Sequence, residues 1–242
     1  MDTTAVRPWE VLAQNLPEHA RNPIHTDAGA QAAGFPRALV AGVTTYAYLV
    51  HPLIAGWGEA WLSGGIAEVR FRRPVFDGDR VRCVPRPDGD AVVVEAVTDE
   101  PEQPRALVRA AIADPVAAAR RDGEPVPDKQ VALVGEWGSD YGERAGDDLR
   151  LCRELGVVHP AVWPALANHV VHTEVARGSW IHVRSIVRHH GPVPSGASAL
   201  VRSTVVRRIA SAAGERAVLD VEVVVDDRVV ATLEHEAIVS LP

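Results

Sequence analysis

The chain has 242 residues, 47% of them hydrophobic and 24% charged, which suits one large domain or two of about 100–120 residues, each with a core of its own. The formal net charge is −7, the isoelectric point is near 5.8 and aromatics make up 5% of the chain. That balance argues against nucleic-acid or anionic-membrane binding, while leaving room for a local basic patch that meets an anionic group. Cys83 and Cys152 lie far apart in apolar surroundings and read as reduced thiols of a cytoplasmic protein. The start, MDTTAVRPWEVL, has no basic stretch leading into an apolar run, so no secretory signal is expected.

Residues 8–12 read as a lead-in helix or strand. From Asn22 to Val50 the pattern is a turn, a short helix with Asp27 as its N-cap, a stop at Gly34, an extended link, and an apolar helix starting near Gly42. Pro52 and the Gly56–Gly58 stretch are expected to close that helix. No Asp, Glu, Lys or Arg occurs from Ala38 to Gly58, so the helix is expected to be buried, inside a sheet that curls around it. The run is long enough for a membrane span, but Thr44, Thr45, His51, Pro52 and several glycines favour burial in protein. Alternating apolar and polar residues then mark strands at 67–73, 80–84, 91–97 and 105–113, with Asp77-Gly78-Asp79 and Asp88-Gly89-Asp90 as turns.

Residues 115–129, PVAAARRDGEPVPDK, hold three prolines and no sustained periodicity, and read as a linker. Beyond it the pattern repeats weakly. The apolar segment 157–171 lies on the first buried helix, 180–187 on the strand at 67–75, and Pro194-Ser195-Gly196 on the turn at 76–79. Three further strands follow, at 199–207, 217–225 and 229–239, with a hairpin turn at Asp226-Asp227.

Asn22-Pro23-Ile24-His25, Gly34-Phe35 and Val40-Ala41-Gly42-Val43, followed by Val69-Arg70-Phe71-Arg72-Arg73-Pro74-Val75-Phe76-Asp77-Gly78-Asp79, resemble the hydratase motif and following strand of the MaoC-like acyl dehydratases and (R)-specific enoyl-CoA hydratases. The matches span residues 20–82. The resemblance implies an α+β hotdog fold and, with the repeat, a tandem double hotdog. Residues 1–114 would form one unit, 115–129 the linker and 130–242 the second unit. It also implies reversible hydration of 2-enoyl thioesters, or dehydration of 3-hydroxyacyl thioesters, carried on coenzyme A or an acyl carrier protein, in fatty-acid or polyketide metabolism. Two departures stand out. The family's Asp five residues before the His is Ala20 here, and the His often found before the helix glycine is Ala41.

Hydration needs a base for water and a donor for the thioester carbonyl. His25 is the candidate base and the Gly42 N–H the candidate carbonyl donor. With Ala20 in place of the family's carboxylate, His25 needs another partner, and Asp27, Glu18, His19 and His159 of the second half are candidates. His159 overlays Ala41. Asn22 either contacts substrate or makes an Asx turn before Pro23. Arg72 and Arg73 could meet coenzyme A phosphates, although alternation sets them on opposite faces of their strand. His169, His172, His182, His189 and His190 lack the spacing of a metal site, so no metal and no separate cofactor is expected. A thioesterase and a non-catalytic, thioester-binding or scaffold subunit pairing with an active hotdog protein are the alternatives. The fused halves form a pseudo-dimer, and further homodimerisation stays open.

Overall fold

The computed structural model describes residues 3–113, 116–117 and 119–241; Met1, Asp2, Asp114, Pro242 and, in the expected linker, Pro115 and Ala118 lie outside the described residues. In chain order the strands are β1 (Trp9–Leu12), β2 (Gly65–Phe71), β3 (Arg80–Asp88), β4 (Ala91–Val97), β5 (Ala106–Ile112), β6 (Glu124–Ala132), β7 (Ile181–His189), β8 (Ser198–Ser211), β9 (Gly214–Val225) and β10 (Arg228–Ser240). The helices are α1 (Asp27–Ala32), α2 (Gly42–Gly64), α3 (Tyr141–Arg144), α4 (Leu151–Glu154) and α5 (Val162–Val170). All ten strands join one sheet in the order β1-β3-β4-β5-β2-β7-β10-β9-β8-β6. The central antiparallel pair, β2 with β7, joins two halves in which the sheet curls over α2 or α5. This is the tandem hotdog expected from the sequence.

Matching hydrogen bonds make the repeat concrete. The Val40 N–H donates to Val75 O in the first half and the Val158 N–H to Val193 O in the second, both at 2.8 Å. Ala13 exchanges backbone bonds with Gly78 and Asp79 as Leu133 does with Gly196 and Ala197. By the second correspondence β6 is the counterpart of β1, each strand lying at an outer edge of the sheet. The linker therefore stops before Glu124, not at 129. Its last residues, 124–129, are strand despite Pro125 and Pro127, because an edge strand has one row of N–H groups that needs no ladder partner.

The buried helix is longer than its sequence pattern suggested. It runs through Pro52 to Gly64, with a break at Gly58, whose φ is +54°. Pro52 has no N–H to give Tyr48 O, the carbonyl four residues back. The Cys83 thiol donates to that oxygen instead, at 3.2 Å, from β3. Tyr46, Leu49, Val50, Leu53 and Trp61 are fully buried on α2, and no helix among the described residues is long and apolar enough to cross a membrane.

Two tyrosines on this helix give a direct test of the core. The Tyr48 hydroxyl donates to Ala145 O at 2.9 Å and accepts from the Gln14 N–H at 3.0 Å, tying the halves together. The Tyr46 hydroxyl is buried with no partner. An unsatisfied buried polar group costs about 1–3 kcal/mol. Tyr46→Phe should therefore raise the melting temperature by roughly 2–4 °C per kcal/mol recovered, while Tyr48→Phe lowers it. Equal melting temperatures for the two variants would contradict this account.

Candidate functional site

His25 ends the short 3-10 turn Pro23–His25 that precedes α1. Its Nδ1–H donates to Leu39 O at 2.7 Å, and Asn15 Nδ2 donates to the His25 carbonyl at 2.9 Å. Backbone and ring are thus both held, and Nε2 is the ring atom left for chemistry. Burial lowers the ring's pKa to about 4, against the favourable bond to Leu39 O, so His25 is neutral at pH 7. The ring lines a cavity of about 270 Å³ with Ile24, Phe35, Leu39, Phe71 and Ile181 as apolar wall.

Gly42 stands at the first position of α2, where an N–H has no acceptor within the helix. It lines the same cavity. A β-carbon there would sit 3.3 Å from Phe71 Cζ and 3.4 Å from His182 Nδ1, so a side chain would crowd the cavity floor. The cavity thus brings together the expected base and the expected carbonyl donor.

Asn22 also lines the cavity, but its amide is spent elsewhere. Asn22 Nδ2 donates to Trp180 O at 2.9 Å, and Oδ1 faces the Trp180 and Ile24 N–H groups at 3.5 Å each. The side chain is buried and pins the turn of one half to the strand entry of the other. These bonds make it an Asx turn and a clamp between the halves. Asn22→Ala should cost about 1–3 kcal/mol, the range for a buried acceptor left unpaired. Urea unfolding would register the loss, and a large rise in KM with unchanged stability would reverse this assignment.

Other expectations change with the structure. Thr26, not Asp27, caps α1, accepting from the Gly29 N–H at 3.2 Å. Asp27 is exposed, accepts from the Ala38 N–H at 2.9 Å, and lines neither the cavity that holds His25 nor the smaller hollow beside it. Glu18 is ion-paired with Arg144 at 2.6 Å. Ala20 is exposed, because the 3-10 turn Pro17–Arg21 aims it outward and His19 inward. The His19 ring lies 5.9 Å from that of His25, centre to centre, with Nε2 3.2 Å from Thr44 Oγ1 and 3.1 Å from Tyr141 Oη. Burial, and next the nearby His25, lower its pKa to about 3. Among the described residues no carboxylate hydrogen-bonds His25.

His159 occupies the position equivalent to Ala41, as expected from the repeat, yet it belongs to a different cluster and lines neither hollow. Its Nδ1 accepts from the Ala161 N–H at 3.2 Å. A β-carbon on Gly142 would lie 3.0 Å from His159 Nε2 and 3.4 Å from Asp147 Oδ2, so Asp147 sits close by. The Asp147 carboxylate accepts from His51 Nδ1 at 2.6 Å, under a stacked Trp9 ring. His51, Asp147 and Asp148 have potential ligand atoms within 4.8 Å of one another. These atoms are already committed to His51–Asp147 and Trp9–Asp148 hydrogen bonds, which suits a buried structural network.

Arg72 and Arg73 both line the cavity, at its exposed side. Strict alternation fails because β2 ends at Phe71, and the Arg72 and Arg73 N–H groups both donate to Arg105 O, at 2.8 and 3.0 Å. Arg73 pairs loosely with Glu100, at 3.6 Å. Several lining residues were not singled out from the sequence as a site: Phe71, Asn168, Trp180 and His182 of the second half, together with Tyr141 in a smaller hollow of about 40 Å³. This hollow shares Asn22, His25, Asn168 and Trp180 with the larger cavity. The second half therefore supplies one wall of the first half's cavity.

The fold and this inter-half cavity define a double hotdog protein. Residues 17–99 match the family model of the MaoC like domain. Solved structures share the fold along most or all of the chain. A Mycobacterium tuberculosis protein with a double hotdog fold is 14% identical at TM-score 0.69, over 96% of this chain and 95% of that one. The dehydratase domain of RzxB from Pseudomonas fluorescens is 17% identical at TM-score 0.55, over 84% and 86%. A tesB protein of Mycobacterium avium subs paratuberculosis is 14% identical at TM-score 0.54, over 97% and 93%. At these identities the likeness is one of fold. No curated protein matches the sequence.

Proposed function

We propose that the chain binds acyl thioesters, of coenzyme A or an acyl carrier protein, in the cavity between its halves and hydrates 2-enoyl thioesters reversibly. The observation that carries this reading is His25, neutral, fixed through Nδ1 to Leu39 O, with Nε2 left for a cavity that also contains the first N–H of α2. In the hydration direction Nε2 takes a proton from water as the oxygen bonds to C3. The double-bond electrons move toward the thioester carbonyl, whose oxygen accepts from the Gly42 N–H. The imidazolium then returns the proton to C2, so atoms and charge balance with one base and no redox cofactor. Arg72 and Arg73 at the exposed side would meet the phosphates of the carrier. The two free, buried thiols, Cys83 and Cys152, favour a cytoplasmic setting.

The test is the loss of enoyl absorbance from crotonyl-CoA and longer 2-enoyl-CoA substrates. Turnover is the expected result. Its absence overturns the hydratase reading; release of free thiol from saturated acyl-CoA would then identify a thioesterase, and tight binding without either would identify a non-catalytic subunit.

A further inference from the structure

The second half contains a buried polar chain that the mechanism above does not use. His182 Nε2 lies 2.8 Å from Ser185 Oγ, and Ser185 Oγ lies 2.8 Å from His235 Nδ1. All three residues are buried. The outer nitrogens of the chain, His182 Nδ1 and His235 Nε2, have no hydrogen-bond partner. Their surroundings differ. His182 lines the large cavity, its Nδ1 3.4 Å from where a β-carbon on Gly42 would sit, whereas His235 is sealed in the core and lines neither that cavity nor the smaller hollow.

A β-bulge makes this chain possible. Residues three apart on a regular strand point to opposite faces, which would separate His182 from Ser185. The register of β7 against β10 shifts between Glu236 and Ala237, pairing Glu236 with Arg184 but Ala237 with His182. Val183 is the extra residue, and the shift turns His182 onto the Ser185 face. Ser185 is itself paired in register with His235.

The hydrogen positions follow from counting. Ser185 has one hydroxyl proton, so it donates to one imidazole and accepts from the other. If His182 donates through Nε2, His235 must carry its proton on Nε2, an N–H buried in the core with nothing to receive it. If His235 donates through Nδ1, its Nε2 is a bare lone pair and His182 carries its proton on Nδ1, itself buried but on a ring that lines the cavity. Either direction leaves one buried N–H without a protein acceptor; only the one on His182 belongs to a residue that lines the cavity, where a bound carbonyl oxygen could receive it, so the second direction is the favoured one. Burial keeps both rings neutral, His235 with a pKa lowered to about 3 and His182 well below its ordinary value, so neither ring carries a second proton that would spoil the count.

We propose that His182 is a further catalytic residue, its Nδ1–H standing beside the Gly42 N–H as the second donor to the thioester carbonyl oxygen, with Ser185 and His235 as positioning residues that set its tautomer. The proposal rests on the reading of the cavity as a thioester site. It explains why the two halves are fused around one cavity: the first half brings the base and one carbonyl donor, and the second half brings the other.

Two substitutions separate the two ring nitrogens of His182. Asparagine carries an amide N–H near the Nδ1 position, and glutamine carries one near the Nε2 position. Loss of one carbonyl donor lowers kcat by about 10²–10³-fold. The expected result is a loss of that size in His182→Gln, with KM little changed, and activity within about tenfold of wild type in His182→Asn. Histidine-selective nitrogen NMR of the free wild-type protein should report Nδ1 of His182 as protonated, and Ser185→Ala should mix the two tautomers. A pyridine-type Nδ1, or full activity in His182→Gln, overturns the proposal. A dienoyl-CoA whose absorbance moves to longer wavelength when its carbonyl is polarised keeps the proposal apart from the hydratase reading. Should wild type show no hydration, a red shift on binding that is lost in His182→Gln still supports the donor pair, and the absence of any shift overturns it.

Discussion

His25→Asn is expected to fold like the wild type and to lose enoyl-thioester hydration by about 10²–10⁴-fold, the range that a positioned general base contributes. Asparagine is the informative replacement because its amide can still donate to Leu39 O, the contact that Nδ1 makes at 2.7 Å, while nothing replaces Nε2. A purely structural His25 would tolerate that change, so near-normal turnover in His25→Asn would remove the ring from the mechanism. His25→Ala tests the structural contact as well and should be both inactive and less stable. The pH dependence carries a second signature. The base must be neutral to act, and burial lowers its pKa to about 4. Turnover should therefore run flat through pH 6.5, where an ordinary histidine would lose half its free base. A half-loss of kcat/KM near pH 6.5 in the folded enzyme would mean that the ring is not buried as described.

Which parts of this site could be read from the sequence follows from how local their causes are. The buried helix α2 was legible because its stretch without charge is a property of the residues themselves. The strands β2 to β5 were legible because alternation and Asp-Gly turns are local as well. The end of α2 was not, because the Tyr48 carbonyl that Pro52 leaves without its helical donor is met by a thiol from β3, 35 positions from Tyr48 in sequence. Strand β6 was hidden by two prolines that only an edge position admits. His25 and Gly42 lie in contiguous motifs, and both line the cavity; His182 was not singled out, because one bulged residue in β7 reverses the face on which it would otherwise lie. The repeat placed His159 opposite Ala41 correctly, but Asp147 and His51 draw it into a separate network, and a sequence overlay carries no information about that. The replacement of the family's carboxylate by Ala20 matters less than it first suggests, since that position faces solvent here and His19 takes the inward one.

Acidification from pH 7 to pH 5 is expected to unfold the protein or bring it to the edge of unfolding. His159, His182, His189 and His235 are buried, and burial lowers the pKa of all four, to about 4 for His159 and about 3 for His189 and His235. In the unfolded chain each returns to an ordinary value near 6.5. A group whose folded pKa is depressed contributes stability that is present above the unfolded value and is lost as the pH falls below it. Here that loss begins near pH 6.5 and continues toward pH 4, because the unfolded chain takes up protons that the folded one refuses. Each histidine loses about 2 kcal/mol between pH 7 and pH 5, so the four together lose about 8 kcal/mol. That is comparable to the whole stability of an ordinary domain, about 5–15 kcal/mol. The midpoint should therefore fall near pH 5 by circular dichroism, with about four protons taken up on unfolding by these four rings and further ones by His19 and His25. His189→Leu provides the control. His189 packs edge-on against Trp61 and its Nε2 has no partner, so the variant removes one titrating group without breaking a bond at that atom. It should take up about one proton fewer and shift the midpoint to lower pH. Stability unchanged between pH 7 and pH 5 would contradict the burial of these rings. The same arithmetic joins the two predictions: a pKa near 4 for His25 lies below the pH at which the fold gives way, so the acid limb of activity should coincide with unfolding, not with titration of the base.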